Sequence, residues 1–349
     1  MKTITIAGRP IGPDHPPYII AEISANHGGD LERAKRIVGL AAEKGADAVK
    51  FQAYTADSMT LDCERSDFVI RGDNPWTGQR LHALYKDAAT PFAWFPELFA
   101  HAKKCGVAAF ASVFGEDSLA LLESLDAPAY KIASFEAVDT ALIAACAATG
   151  KPVIISTGLC TLADIHAAVD AARSGGGSEI ALLRCNSAYP ADPAEANLAT
   201  IADMLRRFDV PIGYSDHTVE TFPAAVAVGI GASIVEKHVI DARAPATADS
   251  SFSSLPDQFE ALVTACRDAF HARGQVKYGP SRREEPSTAF RRSLYAVSDI
   301  AEGETLTRAN VRSIRPGHGL PPRCLPQILG KPARRAIARG EPIVWDALR

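Results

Sequence analysis

No apolar run in this 349-residue chain is long enough to cross a bilayer; the hydrophobic stretches are short and broken by charge or proline. The first twenty residues, MKTITIAGRPIGPDHPPYII, lack the basic start and continuous apolar segment of a secretory signal. A cytoplasmic location is therefore expected. There is no CxxC pair. The seven cysteines (Cys63, Cys105, Cys146, Cys160, Cys185, Cys266 and Cys324) are odd in number and scattered, which argues against a disulfide framework and a cysteine-bound zinc. Each reads as a small buried apolar residue. An excess of charge is missing too: 37 Lys and Arg stand against 41 Asp and Glu, a net charge of −4. That leaves no electrostatic footprint for nucleic acid or an anionic membrane surface, so an anionic substrate must be held by local cations.

What is present is a monotonous alternation of short β-branched runs and alanine-rich helical stretches. Strands are expected at 18–23, 47–52, 107–113, 129–134, 152–156, 180–184, 211–215 and 233–238, and helices at 31–44, 116–125, 140–149, 162–173, 194–208 and 221–229. Strands alternating with helices imply right-handed crossovers and a parallel sheet. Eight such units over about 250 residues is the size of a closed (β/α)8 TIM barrel. An open, doubly wound sheet would call for a glycine-rich phosphate turn after the first strand, and AEISANHGGD contains no GxGxxG. The fold class is thus α/β, with the barrel in residues 1–272. One long insertion, residues 54–96, follows the second strand; a loop of that length in a compact domain is usually functional and here would hang over the C-terminal face.

Beyond the barrel the texture changes. Residues 273–292 read as a polar linker, and 293–349 as a small β-rich module in which a turn with Gly-Glu occurs twice (DIAEGETL and AIARGEPI). Alone, so small a module is marginal.

Parallel barrel strands are covered on both faces and should be apolar, so polar residues at their C-terminal ends are the informative exceptions. Every strand carries some: Glu22; Lys50 with Gln52; Ser112; Lys131 with Ser134 and Glu136; Ser156; Arg184 with Ser187 and Tyr189; Ser215 with Asp216 and His217; Glu236 with Lys237 and His238. Singly, such a serine is ordinarily a helix cap and such a lysine a solvated or paired charge. Eight strand ends with the same exception indicate one polar cup. Lys50, Lys131 and Arg184, with hydroxyls from Ser112, Ser134, Ser156 and Ser215, would make a cationic, donor-rich floor suited to a phosphate and a carboxylate together. His217 and His238, on neighbouring strands, are the candidate metal ligands; Glu22 and Asp249 are nearby carboxylates that would balance the ion. Glu136, close to Lys131, is the leading acid/base candidate.

The stretches AEISANHGG, GADAVKFQAYTADSMTL, TPFAWFPELF, YKIASFEAVD, GKPVIISTG, SAYPADP, SDHT, IVEKHV and SIRPGHGL run in this order along nearly the whole chain. They resemble the sialic acid synthase (NeuB-like) family, most closely its pseudaminic acid synthase branch, and the C-terminal module resembles that family's antifreeze-like (SAF, β-clip) domain. The resemblance implies a transferase that joins phosphoenolpyruvate to 2,4-diacetamido-2,4,6-trideoxy-L-altrose and water, giving pseudaminic acid and phosphate; the alternatives within the family are N-acetylneuraminate and legionaminate synthesis. It implies that Lys50, Ser112, Lys131, Ser134, Ser156, Ser187 and Ser215 hold phosphoenolpyruvate, and that Glu22, Glu136, Lys131 and His217 take part in catalysis. It implies that His217 and His238 bind a divalent metal, Mn2+, Mg2+ or Co2+. Gln52, Tyr189, Asp249, Phe290 and Arg315 would face the acceptor sugar, with Arg315 inserted into the other subunit of a domain-swapped homodimer.

Two other readings compete. In a class I aldolase, Lys131 or Lys50 would form a Schiff base with pyruvate, which needs an uncharged lysine; the surrounding hydroxyls and Glu136 favour a cation. A non-catalytic sugar-binding protein would have no use for two histidines, three cations and four serines gathered at strand ends.

Overall fold

The protein is described here as a computed structural model covering residues 3–72 and 76–349. It divides into two compact units, Met1–Gly274 and Gln275–Arg349.

The first unit is a closed barrel of eight parallel strands: β1 (Tyr18–Glu22), β2 (Ala48–Ala53), β3 (Ala108–Val113), β4 (Tyr130–Ile132), β5 (Val153–Ser156), β6 (Ile180–Cys185), β7 (Ile212–Asp216) and β8 (Ile234–His238), with β8 pairing to β1. Because successive side chains alternate across a strand, each strand contributes to two layers. Ile19, Val49, Phe51, Tyr130, Leu182, Tyr214 and Val235 pack outward beneath the helices. Tyr18, Ile20, Phe110, Ile154, Leu183 and Ile234 fill the interior. The N-terminal end of that interior is closed by a hairpin, Ile4–Ile6 paired with Arg9–Ile11, whose Ile4, Ile6 and Ile11 join the same apolar cluster. Strands of three residues are too short to show a period, so the sequence pattern does not reveal this hairpin.

Five of the six expected helices fall within one residue of their expected ends: Leu31–Glu43, Glu116–Ser124, Thr140–Ala148, Leu162–Ser174 and Phe222–Ile230. The expected helix at 194–208 is instead a 3-10 turn, Pro193–Glu195, followed by Ala199–Arg207. Asn197 breaks the run by adopting a φ of 47°, a left-handed conformation Asn tolerates better than most residues. The insertion carries short helices, Ala56–Met59, Leu81–Ala88 and the start of Phe95–Lys104, separated by irregular stretches; its residues 73–75 lie outside the described residues, as do the first two of the chain. Among the described residues no helix is long and apolar enough to cross a membrane.

The second unit packs Leu294, Ile300, Leu306, Val311, Ile328, Ile337 and Ile343 into its own core around the antiparallel pair Ser293–Ala296 and Val311–Ile314. Its two Gly-Glu turns share one geometry. Glu304 accepts from Ala301 N at 2.8 Å and Glu341 from Ala338 N at 3.1 Å, and Gly303 and Gly340 both take a positive φ, 80° and 86°. That conformation is nearly free only for glycine.

Candidate active site

Strand parity decides which polar residues enter the barrel. Glu22, Lys50, Gln52, Ser112, Lys131, Ser156, Ser215, Glu236 and His238 lie an even number of residues from the interior apolar positions of their strands, or from Gly213 in β7, and so form a layer above that apolar plug. The register then sets Glu22 beside Lys50, Ser112 beside Lys131, and Ser215 beside Glu236.

Glu236 is the hub. Its Oε1 accepts from Lys50 Nζ at 3.1 Å, Lys131 Nζ at 3.4 Å and Ser215 Oγ at 3.0 Å. Lys50 Nζ also lies 2.7 Å from Glu22 Oε2 and donates to Ser112 Oγ at 3.3 Å. All are buried. Burial opposes ionisation of Glu236, but Lys131 and Lys50 outweigh it and hold the carboxylate well below its usual range. Glu22, with Lys50 as its ion-pair partner and its Oε1 accepting from Ser24 N at 2.9 Å, is pushed up to about 7 by burial. Lys50 is driven up, since Glu22 and Glu236 together overcome its desolvation, whereas for Lys131 burial dominates and brings it down to about 8. The sequence reading gave Glu236 no role; its shared face with His238, two residues on, was the available signal.

A second group surrounds Gly158. Its N–H donates to Ser134 Oγ at 3.2 Å; a Cβ there would collide with Ser187 Oγ and stand 2.7 Å from Ser134 Oγ. Glycine is needed for this approach of two serines from neighbouring loops, a requirement no periodicity displays. Several polar atoms in the cup are buried with no protein hydrogen-bond partner: Ser156 Oγ, Glu136 Oε2, Glu236 Oε2 and His238 Nδ1. Buried polar atoms are rarely left so without a purpose, and here they sit where a polar ligand would satisfy them. Burial pushes Glu136 up to about 7, partly offset by its backbone hydrogen bond and Lys131.

The two imidazoles meet edge to face, with ring centroids 5.3 Å apart. His217 Nδ1 donates to the Asn186 carbonyl at 2.7 Å, which in the neutral ring leaves Nε2 with its lone pair; burial opposes protonation of this ring, but Cys185 outweighs it and raises the pKa. Burial keeps His238 neutral by lowering its pKa well below normal, and its Nδ1 is 3.7 Å from Asp249 Oδ2. Burial likewise raises Asp249. Two imidazoles at the ends of neighbouring strands, His238 neutral and bearing an orphaned buried nitrogen, fit a pair of ligands to a divalent ion once His217 is also unprotonated. Among the described residues no group of three His, Cys, Asp or Glu would hold a metal by itself, so further coordination positions would fall to substrate or water oxygens.

Some expectations need correction. Arg184 does not join the cationic floor: it is an outward residue of β6, opposite Tyr214, and its guanidinium donates to the Cys185 carbonyl. Asp216 and Lys237 also face outward, as a buried ion pair at 3.0 Å. Cys185 takes the inward place instead. It is no inert apolar filler, since its Sγ lies 3.8 Å from both His217 Nδ1 and Ser187 Oγ; burial opposes ionisation, yet His217 outweighs it and brings the thiol down to about 6. Cys63, Cys105 and Cys160 are only partly buried.

Above the cup lies a cavity of about 1040 Å³. Gln52, Glu136, Ser187, Tyr189, His238 and Asp249 line its barrel side. Tyr189 stacks near His217, centroids 4.3 Å apart, and against Phe252 at 5.2 Å. The insertion supplies much of the opposite wall, including Met59, Ile70, Leu81 and Leu84. Phe290 and Arg315 belong to the second unit, where both are exposed.

Comparison with known proteins places these features in context. The NeuB family profile matches residues 37–278 and the SAF domain profile residues 291–349. A pseudaminic acid synthase of Helicobacter pylori is 40% identical over 333 residues, covering 95% of this chain and 97% of its own length. One from Campylobacter jejuni is 38% identical over 328 residues, covering 94% and 95%. Among solved structures, the N-acetylneuraminic acid synthetase of Leptospira borgpetersenii, in complex with citrate, superposes with a TM-score of 0.74 at 31% identity, over 82% of this chain and 95% of that one.

Proposed function

The chain belongs to the NeuB family, and from that premise we propose that it is a C–C bond-forming transferase condensing phosphoenolpyruvate with an N-acylated amino-sugar aldehyde, its product being pseudaminic acid. The acceptor on this reading is 2,4-diacetamido-2,4,6-trideoxy-L-altrose. The observation that carries it is the floor of the cup, where two buried ammoniums and the Ser215 hydroxyl meet at one carboxylate and Ser112 Oγ accepts from one of the ammoniums.

Lys50 and Lys131, with Ser112, Ser134, Ser156, Ser187 and Ser215, hold the phosphate and carboxylate of phosphoenolpyruvate. Gln52, Tyr189 and Asp249 orient the acceptor so that its aldehyde carbon meets the methylene carbon of phosphoenolpyruvate. A divalent ion such as Mn2+ or Mg2+, bound by His217 and His238, would supply Lewis acidity at the aldehyde oxygen. As the new C–C bond forms, positive charge develops at the phosphate-bearing carbon, and water adds there. Glu136, held near 7, is suited to take the proton of that water. The resulting hemiketal phosphate loses phosphate with cleavage of its C–O bond. Glu22 and Glu236 keep the two lysines charged and fixed, the preorganisation that supplies most of the rate in such sites. Arg315, and with it Phe290, acts on the acceptor in trans within a domain-swapped homodimer; the exposure of Arg315 directly after a strand end supports this.

The downward shift of Lys131 to about 8 is one that an imine-forming lysine would also show, so the aldolase reading is tested alongside. With phosphoenolpyruvate, Mn2+ and a panel of amino-sugar aldehydes, phosphate should be released only with the true acceptor, and an oxygen label in the bridging position should leave with phosphate. Label retained in the sugar acid, or a borohydride-trapped adduct at Lys131, moves the assignment to the aldolase.

A further inference from the structure

The helix Leu81–Ala88 is amphipathic, but its apolar stripe does not meet the protein core. Leu81, Leu84, Tyr85 and Ala88 recur at the i, i+3, i+4, i+7 spacing of one helix face, and all four line the cavity over the cup. None of the helix's residues is fully buried, and none joins the apolar clusters of the barrel. Met59 and Ile70, from the same insertion, are half-buried and extend the wall. The helix is held in this orientation from its other side: His82 Nε2 lies 2.8 Å from Asp57 Oδ1 and Arg80 donates to Asp62 at 3.0 Å. Tyr85 is set by an edge contact with Tyr54, ring centroids 5.8 Å apart.

The cavity is therefore two-faced. Its barrel side presents hydrogen-bonding groups, and its insertion side presents mainly apolar carbon, from Met59, Ile70, Leu81, Leu84 and Ala88 beside the rings of Trp76 and Tyr85. We propose that this apolar roof is the acceptor-selecting wall, reading the methyl groups of the acceptor: the terminal deoxy carbon and an acetamido methyl. The proposal rests on the synthase reading above. An acceptor carrying a terminal hydroxymethyl group would bury its hydroxyl against the side chains of Leu81 and Leu84, neither of which can bond it, a loss for any buried polar group. A methyl in the same place gains the contact. Discrimination by an apolar wall against an added hydroxyl has a ceiling of about 10²-fold, so the wall biases the choice of acceptor while the polar side fixes its pose.

The test uses the full-length, Mn2+-loaded enzyme and two acceptors of one configuration, the 6-deoxy diacetamido sugar and its 6-hydroxy counterpart. Wild type should favour the 6-deoxy acceptor in kcat/KM by about 10- to 100-fold. Leu84→Asn and Leu81→Gln should shrink that preference at least tenfold, through KM for the 6-deoxy acceptor, with KM for phosphoenolpyruvate unchanged. Leu84→Met should keep the preference and so guard against a folding effect. Equal use of both acceptors by wild type, or a preference untouched by either variant, overturns the wall and leaves the synthase reading intact; absence of phosphate release with every amino-sugar aldehyde overturns that reading instead. A parallel loss of phosphoenolpyruvate binding in the variants would make the residues structural. A change of oligomeric state in Leu84→Asn would mean that a second copy, not the acceptor, covers the stripe. Either result refutes the proposal.

Discussion

Replacing Glu236 by Gln puts the arrangement of the cup to a direct test. The carboxylate accepts from two buried ammoniums and Ser215 through one oxygen, Oε1. The amide keeps the shape and an acceptor oxygen but removes the charge, leaving Lys50 to share Glu22 and Lys131 with no carboxylate in contact. Breaking a buried ion pair from one side costs about 3–5 kcal/mol, because the remaining charge is desolvated without compensation. At a few degrees per kcal/mol, the melting transition of the barrel should fall by roughly 10 °C. Phosphoenolpyruvate carries the charge that the variant lacks. Its addition at about 100 times Kd stabilises a protein by about 2.7 kcal/mol, and in Glu236→Gln, where it meets unbalanced lysines and no repelling carboxylate, the rise in Tm should exceed that of wild type at the same concentration. Calorimetry with and without phosphoenolpyruvate reads both quantities. A variant melting within about 2 °C of wild type, or one gaining less from phosphoenolpyruvate than wild type does, would refute the argument that Glu236 balances a site built for an anion.

Glu136 is raised to about 7, so below that pH it keeps its proton and cannot accept another; kcat should rise with pH through about 7, and Glu136→Gln should abolish that limb. Chelation should abolish turnover and Mn2+ restore it, and His217→Ala should cost at least about 10³-fold, the several kcal/mol expected of a lost Lewis acid; full activity in metal-free protein would contradict this. Gly158→Ala forces Ser134 and Ser187 apart and should lower kcat/KM for phosphoenolpyruvate by about 10²-fold, the usual effect of an ångström-scale misplacement, while leaving the far-ultraviolet circular dichroism unchanged. Mixing Arg315→Ala with His217→Ala chains under subunit exchange should restore activity, since in a trans arrangement one of the two sites carries neither defect; no recovery would place Arg315 within its own chain's site or outside catalysis.

The barrel was legible because both faces of its strands are covered, so that Glu22, Lys50, Lys131 and His238 stood out against apolar runs. The parity of the same runs sorts their polar residues further. Counting by twos from Leu183 selects Cys185 and not Arg184 for the interior, and from Ile234 it selects Glu236 and His238 but not Lys237. That information was in the sequence. Other features were not: Gly158 matters through a close approach between two loops distant in sequence, and the hairpin under the barrel consists of two strands of three residues each. The apolar stripe of Leu81–Ala88 could be read as periodicity, but not that it faces a cavity in place of a core.

The division of labour between barrel and insertion bears on how such enzymes differ in acceptor. The charged layer is built on strands whose register and apolar plug leave it little freedom, and any change there disturbs a network of buried charges in which each member compensates another. A neuraminic acid synthetase at 31% identity keeps the architecture over most of both chains. Selection of the acceptor must then come from groups that can vary without unbalancing the cup. The insertion meets that condition: the wall it gives the cavity carries no ionised side chain, and Leu81–Ala88 buries nothing in the core. A substitution on its inner stripe changes what the ligand touches at little cost to folding, whereas one at Lys50 or Glu236 changes both at once. Acceptor preference should therefore move more readily by exchanging this insertion than by altering the strand ends beneath it.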